Sequence, residues 1–267
     1  MVMEKILWKH IESVRSKSPL VHNITNYVVM NNTANALLAA GASPIMAHAK
    51  SEVPDMVALA HASVINIGTL DEYWSETMLL AAETSHKLGK PWVLDPVGAG
   101  ATPFRDKILQ QLLAFKPIVV KGNASEVMAL AQANEGATKG VDSTADSNEA
   151  VNAAIGLAIQ HETLVCISGE TDIIVNGTQT VFIKNGHPLM TKVTGMGCTA
   201  SALIGAFVGV VEDKTEGITA AMALLGIAGE LSAEQADGPG SLQLKLIDKL
   251  HNLSEKEFYD HIRISKQ

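Results

Sequence analysis

Two glycines one residue apart, Gly195 and Gly197, open a run of small apolar residues that reads as a helix to about Val211. Cys198 stands just inside that helix. A glycine-rich turn feeding a helix start is an anion site on physical grounds. Free backbone N–H groups and the positive end of the helix dipole converge on it. The glycines permit an approach by phosphate that a Cβ would block. Cys198 would then face the bound group, as a thiol whose ordinary pKa of about 8.5 a helix N-terminus can lower. The same spacing also suits an ordinary tight helix start, so its meaning depends on the rest of the chain.

Four further clusters of polar, glycine-flanked residues follow strand-like runs. They are His22-Asn23-Ile24-Thr25-Asn26, Asp95-Pro96-Val97-Gly98-Ala99-Gly100, Lys121-Gly122-Asn123-Ala124-Ser125-Glu126 and Ser168-Gly169-Glu170-Thr171. Each has a local explanation. Asn26 suits the cap of the following helix, and Asp95 before proline suits a turn. Asn123 with Glu126 three residues on suits a capping box, and Ser168-Gly169 a hairpin turn. The recurrence of one pattern at four strand ends argues for a shared site. Met46, with Pro44 and Ile45, offers a thioether and apolar atoms for a small aromatic ring, or alternatively an ordinary core contact.

These clusters need elements to hold them. Strands are expected over Pro19–Thr25, Ser43–Ala47, Ser63–Ile67, Trp92–Asp95, Ile118–Lys121, Thr163–Ser168, Asp172–Asn176 and Thr180–Lys184. Helices are expected over Val28–Ala40, Val53–Ala62, Glu72–Leu88, Pro103–Phe115, Ala124–Ala131 and near 149–160, with a mostly helical remainder to about His261. Asn176-Gly177 signals a hairpin, and residues 134–148 read as a polar loop. Strand–helix alternation implies parallel βαβ units: an α/β fold with helices on both faces of one mostly parallel sheet. With no linker or repeat in view, residues 1–267 read as one domain. Ligands of such sheets bind beyond the carboxyl ends of the strands, where the clusters fall.

Bulk properties narrow the function. The 267 residues are 47% hydrophobic and 18% charged, which promises a large core. A net charge of −8 disfavours nucleic acid as a partner. Two cysteines, Cys166 and Cys198, make no disulfide framework and point to a reducing, cytoplasmic setting, as does an amino terminus without an apolar signal core. The apolar stretches 197–211 and 217–229 are each shorter than the roughly 20 residues of a membrane span. There is no P-loop, no Gly-x-Gly-x-x-Gly in the first βαβ unit and no zinc-type ligand spacing.

Taken together, these motifs resemble a known family. Asn123-x-x-Glu126 is similar to the magnesium-associated motif of ribokinase-like kinases, and Gly195-Met196-Gly197-Cys198 sits where those enzymes carry Gly-Ala/Thr-Gly-Asp with a catalytic aspartate. Cysteine at that place, with His22–Asn26, Gly41–His48, Asn66–Leu70 and Asp95–Thr102, resembles the hydroxyethylthiazole kinase family in order along nearly the whole chain.

The resemblance implies a three-layer ribokinase-like fold. It also implies transfer of the ATP γ-phosphate to the hydroxyl of 4-methyl-5-(2-hydroxyethyl)thiazole in thiamine supply, and a homotrimer with sites between subunits. Carried over residue by residue, Met46, Asn23 and the Gly195 backbone meet substrate. Lys121, Asn123, Ser168 and Gly197 meet ATP, Asp95 and Glu126 act around Mg²⁺, and Cys198 is the catalytic group. Three departures stand out: Lys121 where arginine is familiar, Ser168 where threonine is, and Met196 between the two glycines. Lysine makes a point-charge contact with phosphate rather than a bidentate one. Because phosphoryl transfer has a loose transition state, a weak base suffices, and Cys198 is expected to position the hydroxyl and take its proton late. Other readings are a ribokinase-like kinase for a different alcohol, a nucleotide-dependent repair dehydratase, and a non-catalytic sensor.

Overall fold

The computed structural model describes residues 2–135, 147–177 and 179–267. One nine-stranded sheet organises them, in the order β2-β1-β3-β4-β5-β6-β7-β8-β9. The parallel part is β1 (Leu20–Ile24), β2 (Ser43–Ile45), β3 (Ala62–Asn66), β4 (Trp92–Asp95), β5 (Val119–Asn123) and β6 (Leu164–Ser168). From β6 onward β7 (Asp172–Asn176), β8 (Gln179–Ile183) and β9 (Ile264–Lys266) pair antiparallel.

Strands with two covered faces read as near-continuous apolar runs, and alternate side chains enter opposite layers. Val21, Val64, Val93, Val119 and Cys166 enter one core. It is completed by α1 (Val2–Lys17), α2 (Met30–Ala40), α8 (Met196–Val208), α9 (Lys214–Ala233), α10 (Pro239–Asn252) and α11 (Glu255–His261). Ile24, Ile65, Leu94, Val120 and Val165 enter the other. There α3 (Val53–Leu59), α4 (Glu72–Leu88), α5 (Pro103–Leu113), α6 (Ala124–Glu135) and α7 (Ser147–His161) cover the sheet. The architecture is the expected three-layer α/β arrangement.

Local chemistry sets the element ends. Asp71 caps α4 by accepting the Trp74 N–H at 2.7 Å, and Gly89 closes it in the left-handed region, so the helix spans the expected residues. Among the described residues α9 alone has the length and apolarity of a membrane span. Of its most apolar window, 83% is buried, packed against α1, α8 and α10.

Three features go beyond the expectations. The charge-mixed start of the chain forms the amphipathic α1, burying Leu7, Trp8, Ile11 and Val14. The carboxyl-terminal stretch adds β9 at the sheet edge after the last helix. Of the loop expected at 134–148, residues 134–135 end α6 and 147–148 begin α7; the remainder lies outside the described residues.

Candidate active site

The α8-facing side chains at the ends of the parallel strands form a polar patch in an otherwise apolar layer. Asn66, Asp95 and Lys121 are each at most 3% exposed. They share the phase of Val64, Val93 and Val119, so strand periodicity aims all three at the start of α8.

Gly195 caps that helix with φ +82, a conformation that favours glycine. A Cβ there would lie 2.4 Å from Val29 Cγ1. The first intrahelical bond is from Thr199 N–H to Gly195 O at 2.8 Å, so the Met196, Gly197 and Cys198 amides precede it as orphan donors of the helix start. Lys121 Nζ donates to Gly197 O at 3.0 Å, placing a buried cation under the turn.

On the inner side of the turn, Cys198 joins a hydrogen-bonded chain. Asn26 Nδ2 donates to Cys198 Sγ at 3.3 Å and to Asn66 Oδ1 at 2.9 Å. Asn66 Nδ2 donates to Asp95 Oδ2 at 2.6 Å, and Ser201 Oγ donates to the same oxygen at 2.7 Å. Burial raises the Asp95 pKa against the opposing pull of Lys121 and of these hydrogen bonds. Burial first, then the Asp95 charge, raises the Cys198 pKa. The lowering that a helix N-terminus suggests does not occur here, because desolvation outweighs it.

On the outer side lies a cavity of about 810 Å³. Ser168, Gly169, Met196, Gly197 and Ala200 line it together with residues 184–188, Met222 and Leu225. Asp172 enters its wall, accepting the Gly169 N–H at 3.0 Å. Burial raises the Asp172 pKa to about 6. A volume of this size suits a nucleotide-scale ligand.

Glu126 and Asn123 form a reciprocal cap at the start of α6: Asn123 N–H donates to Glu126 Oε2 at 2.8 Å, and Glu126 N–H to Asn123 Oδ1 at 2.9 Å. Glu126 Oε1 also accepts the Gly98 N–H at 3.1 Å, tying the β4 and β5 loops together. Among the described residues no group of three or more His, Cys, Asp or Glu gathers to hold a metal ion.

The sequence-derived residues therefore separate into groups. Gly195, Gly197, Cys198, Lys121 and Asp95 come together at α8, Ser168 lines the adjoining cavity, and Asn123 with Glu126 stands at the next strand end. Met46 lies beyond the edge strand β2, half-buried and outside the cavity lining. Asn23 turns back on its own strand, donating to Val21 O at 3.0 Å, with its Oδ1 buried and unpartnered. Ser201 and Asp172 were not singled out from sequence, and Asn66 entered only as the first residue of a family motif, with no role of its own. Their positions on strand ends and one helical turn past Gly197 were the available signal.

The sequence profile of the hydroxyethylthiazole kinase family matches residues 11–256. The chain belongs to the hydroxyethylthiazole kinase family. A hydroxyethylthiazole kinase of Syntrophus aciditrophicus is 52% identical over 258 residues, 96% of each chain. The solved hydroxyethylthiazole kinase of Pyrococcus horikoshii is 43% identical with a TM-score of 0.92, covering 98% of this chain and 99% of that one. A ribokinase-like superfamily protein of Enterococcus faecalis, 12% identical, shares the fold with a TM-score of 0.65 over 90% of this chain and 89% of its own. Membership makes this chain an enzyme, a kinase that phosphorylates hydroxyethylthiazole in thiamine supply.

Proposed function

We propose that the turn at 195–198 is the phosphoryl-transfer centre of this kinase, with ATP in the 810 Å³ cavity and the thiazole alcohol on the Cys198 side. One observation carries this reading: the turn separates the cavity from the Cys198–Asn26–Asn66–Asp95 chain while being braced by Lys121.

Catalysis of a loose phosphoryl transfer is positioning and charge neutralisation. The orphan amides of Met196, Gly197 and Cys198 meet the transferred group's oxygens, and Lys121 sets the turn's position and adds a positive charge. Ser168 offers a hydroxyl at the phosphate end, currently on Gly122 O at 3.4 Å. Cys198, with its raised pKa, orients the attacking hydroxyl as a neutral thiol beside Asn26, and the hydroxyl proton leaves only after the new P–O bond has formed.

Asp95 and Glu126 are hard oxygen donors on neighbouring strand ends, and each Glu126 oxygen keeps a lone pair beyond its backbone bond. That set fits Mg²⁺ held largely by nucleotide phosphates and water. The ion would neutralise phosphate charge; Asp95 and Glu126 are the residues that would hold it.

The remaining assignments belong to the same proposal. Met46 contacts the thiazole across a subunit boundary in a homotrimer, and the protein works in the cytoplasm. Met46 at the sheet edge and the exposed Tyr27, Val28 and Leu38 support a packed neighbour there. Asn26 takes the substrate-side role expected of Asn23.

The deciding experiment is ADP release from Mg·ATP with hydroxyethylthiazole, compared with pyridoxal, hydroxymethylpyrimidine and no acceptor. Turnover with the thiazole is expected; turnover with another alcohol alone would overturn the acceptor-site reading.

A further inference from the structure

Glu230 sits in the last turn of α9, buried, five residues beyond the cavity-lining Leu225. Its carboxylate accepts the Gly186 N–H at 2.7 Å and the Asn185 carboxamide at 3.2 and 3.3 Å. It also pairs with Arg263, on the segment leading into β9. Asn185 is saturated in turn: its Nδ2 donates to His261 O at 2.8 Å and its Oδ1 accepts the Arg263 N–H at 2.9 Å. The Arg263 guanidinium donates to Lys184 O through Nε at 3.1 Å and Nη2 at 2.8 Å. One helical turn before Glu230, Gly226 provides the seat: a Cβ there would come within 2.8 Å of Asn185 Cβ and O.

Lys184, Asn185 and Gly186 are among the residues that line the cavity. They follow β8 without regular structure of their own until the 3-10 helix at Pro188–Lys192. Their position is therefore set from behind, by one carboxylate, one guanidinium and the close approach to α9. A network of this kind fixes one geometry when every member is satisfied, and loses it when one is removed.

We propose that Glu230 and Arg263 are positioning residues for the nucleotide, coupling the carboxyl-terminal strand β9 to the 184–187 wall of the cavity. They touch no substrate; they hold the wall at the width the nucleotide needs. The proposal rests on the reading of the cavity as the ATP site.

The test is steady-state kinetics of Arg263→Ala, Arg263→Lys and Glu230→Gln, with KM measured separately for ATP and for hydroxyethylthiazole. The Arg263 side chain is half exposed, so its removal is compatible with folding; Glu230→Gln is checked by thermal unfolding first. The expected result is a KM for ATP raised at least fivefold in Arg263→Ala with the thiazole KM unchanged. Arg263→Lys, whose ammonium still reaches Glu230, should recover most of the loss. Equal rises in both KM values, or loss of thermal stability with an unchanged KM for ATP, would overturn the coupling. Leu225→Trp, which fills the cavity, separates the two readings. If it leaves the KM for ATP unchanged, the nucleotide reading falls and the proposal with it. If it raises that KM and Arg263→Ala does not, only the coupling falls.

Discussion

The Asn66 carboxamide donates to Asp95 Oδ2 at 2.6 Å while its own oxygen accepts from Asn26, so one side chain fixes both the carboxylate and the partner of Cys198. The register that pairs Asn66 with Asp95 across β3 and β4 sets this contact. Without it Asp95 would keep Ser201 alone on that oxygen.

Asn66→Ala should therefore lower kcat by at least about tenfold and cost about 2 kcal/mol of stability, the range for a lost hydrogen bond to a buried charged group. Urea unfolding and ADP-release kinetics measure the two effects. Full activity in a destabilised variant would detach Asn66 from the chemistry.

Cys198 is held protonated by burial and by the Asp95 charge. A general base that matters contributes about 10²–10⁴ in rate. Cys198→Ala should lose no more than about tenfold in kcat, and the wild-type rate should show no thiol ionisation between pH 6 and 8.5. A pH-rate limb in that window, absent from the alanine variant, would make the thiolate the base.

The two glycines of the turn should fail differently. Gly195→Ala meets both a positive φ and a 2.4 Å approach to Val29, and should cost about 2–4 kcal/mol. Gly197→Ala places its Cβ 3.0 Å from Lys121 Nζ, the movable end of a side chain. It should fold near normally and lose kcat/KM by about tenfold or more. Thermal unfolding beside kinetics separates the two, and equal stability losses would contradict the assignment.

The clearest sequence signals were local ones. α4 was legible from its helical pattern and the glycine, Gly89, that closes it, and β4 from an apolar run stopped by Asp95-Pro96. The turn at Gly195 was legible because its positive φ favours glycine. Nothing local announced β9, whose three residues exist as a strand only because β8 offers an edge. The environment of Cys198 was equally hidden. Its pKa is raised first by burial and then by the charge of Asp95, which lies over one hundred positions away in the sequence. Asn23 and Asn26 illustrate the same limit: one side chain turns back on its own strand and the other reaches Cys198, a choice made by packing.

Asp172 gives a pH signature. Burial lifts its pKa from 3.8 to about 6, against the Gly169 N–H bond and the Lys121 charge. The unfolded carboxyl releases its proton near pH 4 and the folded one near pH 6, so the folded state binds more protons in between. Stability attributable to this group must fall as pH rises from about 4 to about 6, then stay level. Asp172→Asn keeps an acceptor for the Gly169 N–H and removes the buried charge. The variant should match the wild type at pH 4 and exceed it at pH 7.5 by up to about 3 kcal/mol, from about 1.4 kcal/mol per pKa unit. Urea unfolding of both proteins at the two pH values measures the difference. An asparagine variant less stable than wild type at pH 7.5 would mean that the Lys121 attraction outweighs desolvation and that Asp172 is a stabilising ion partner.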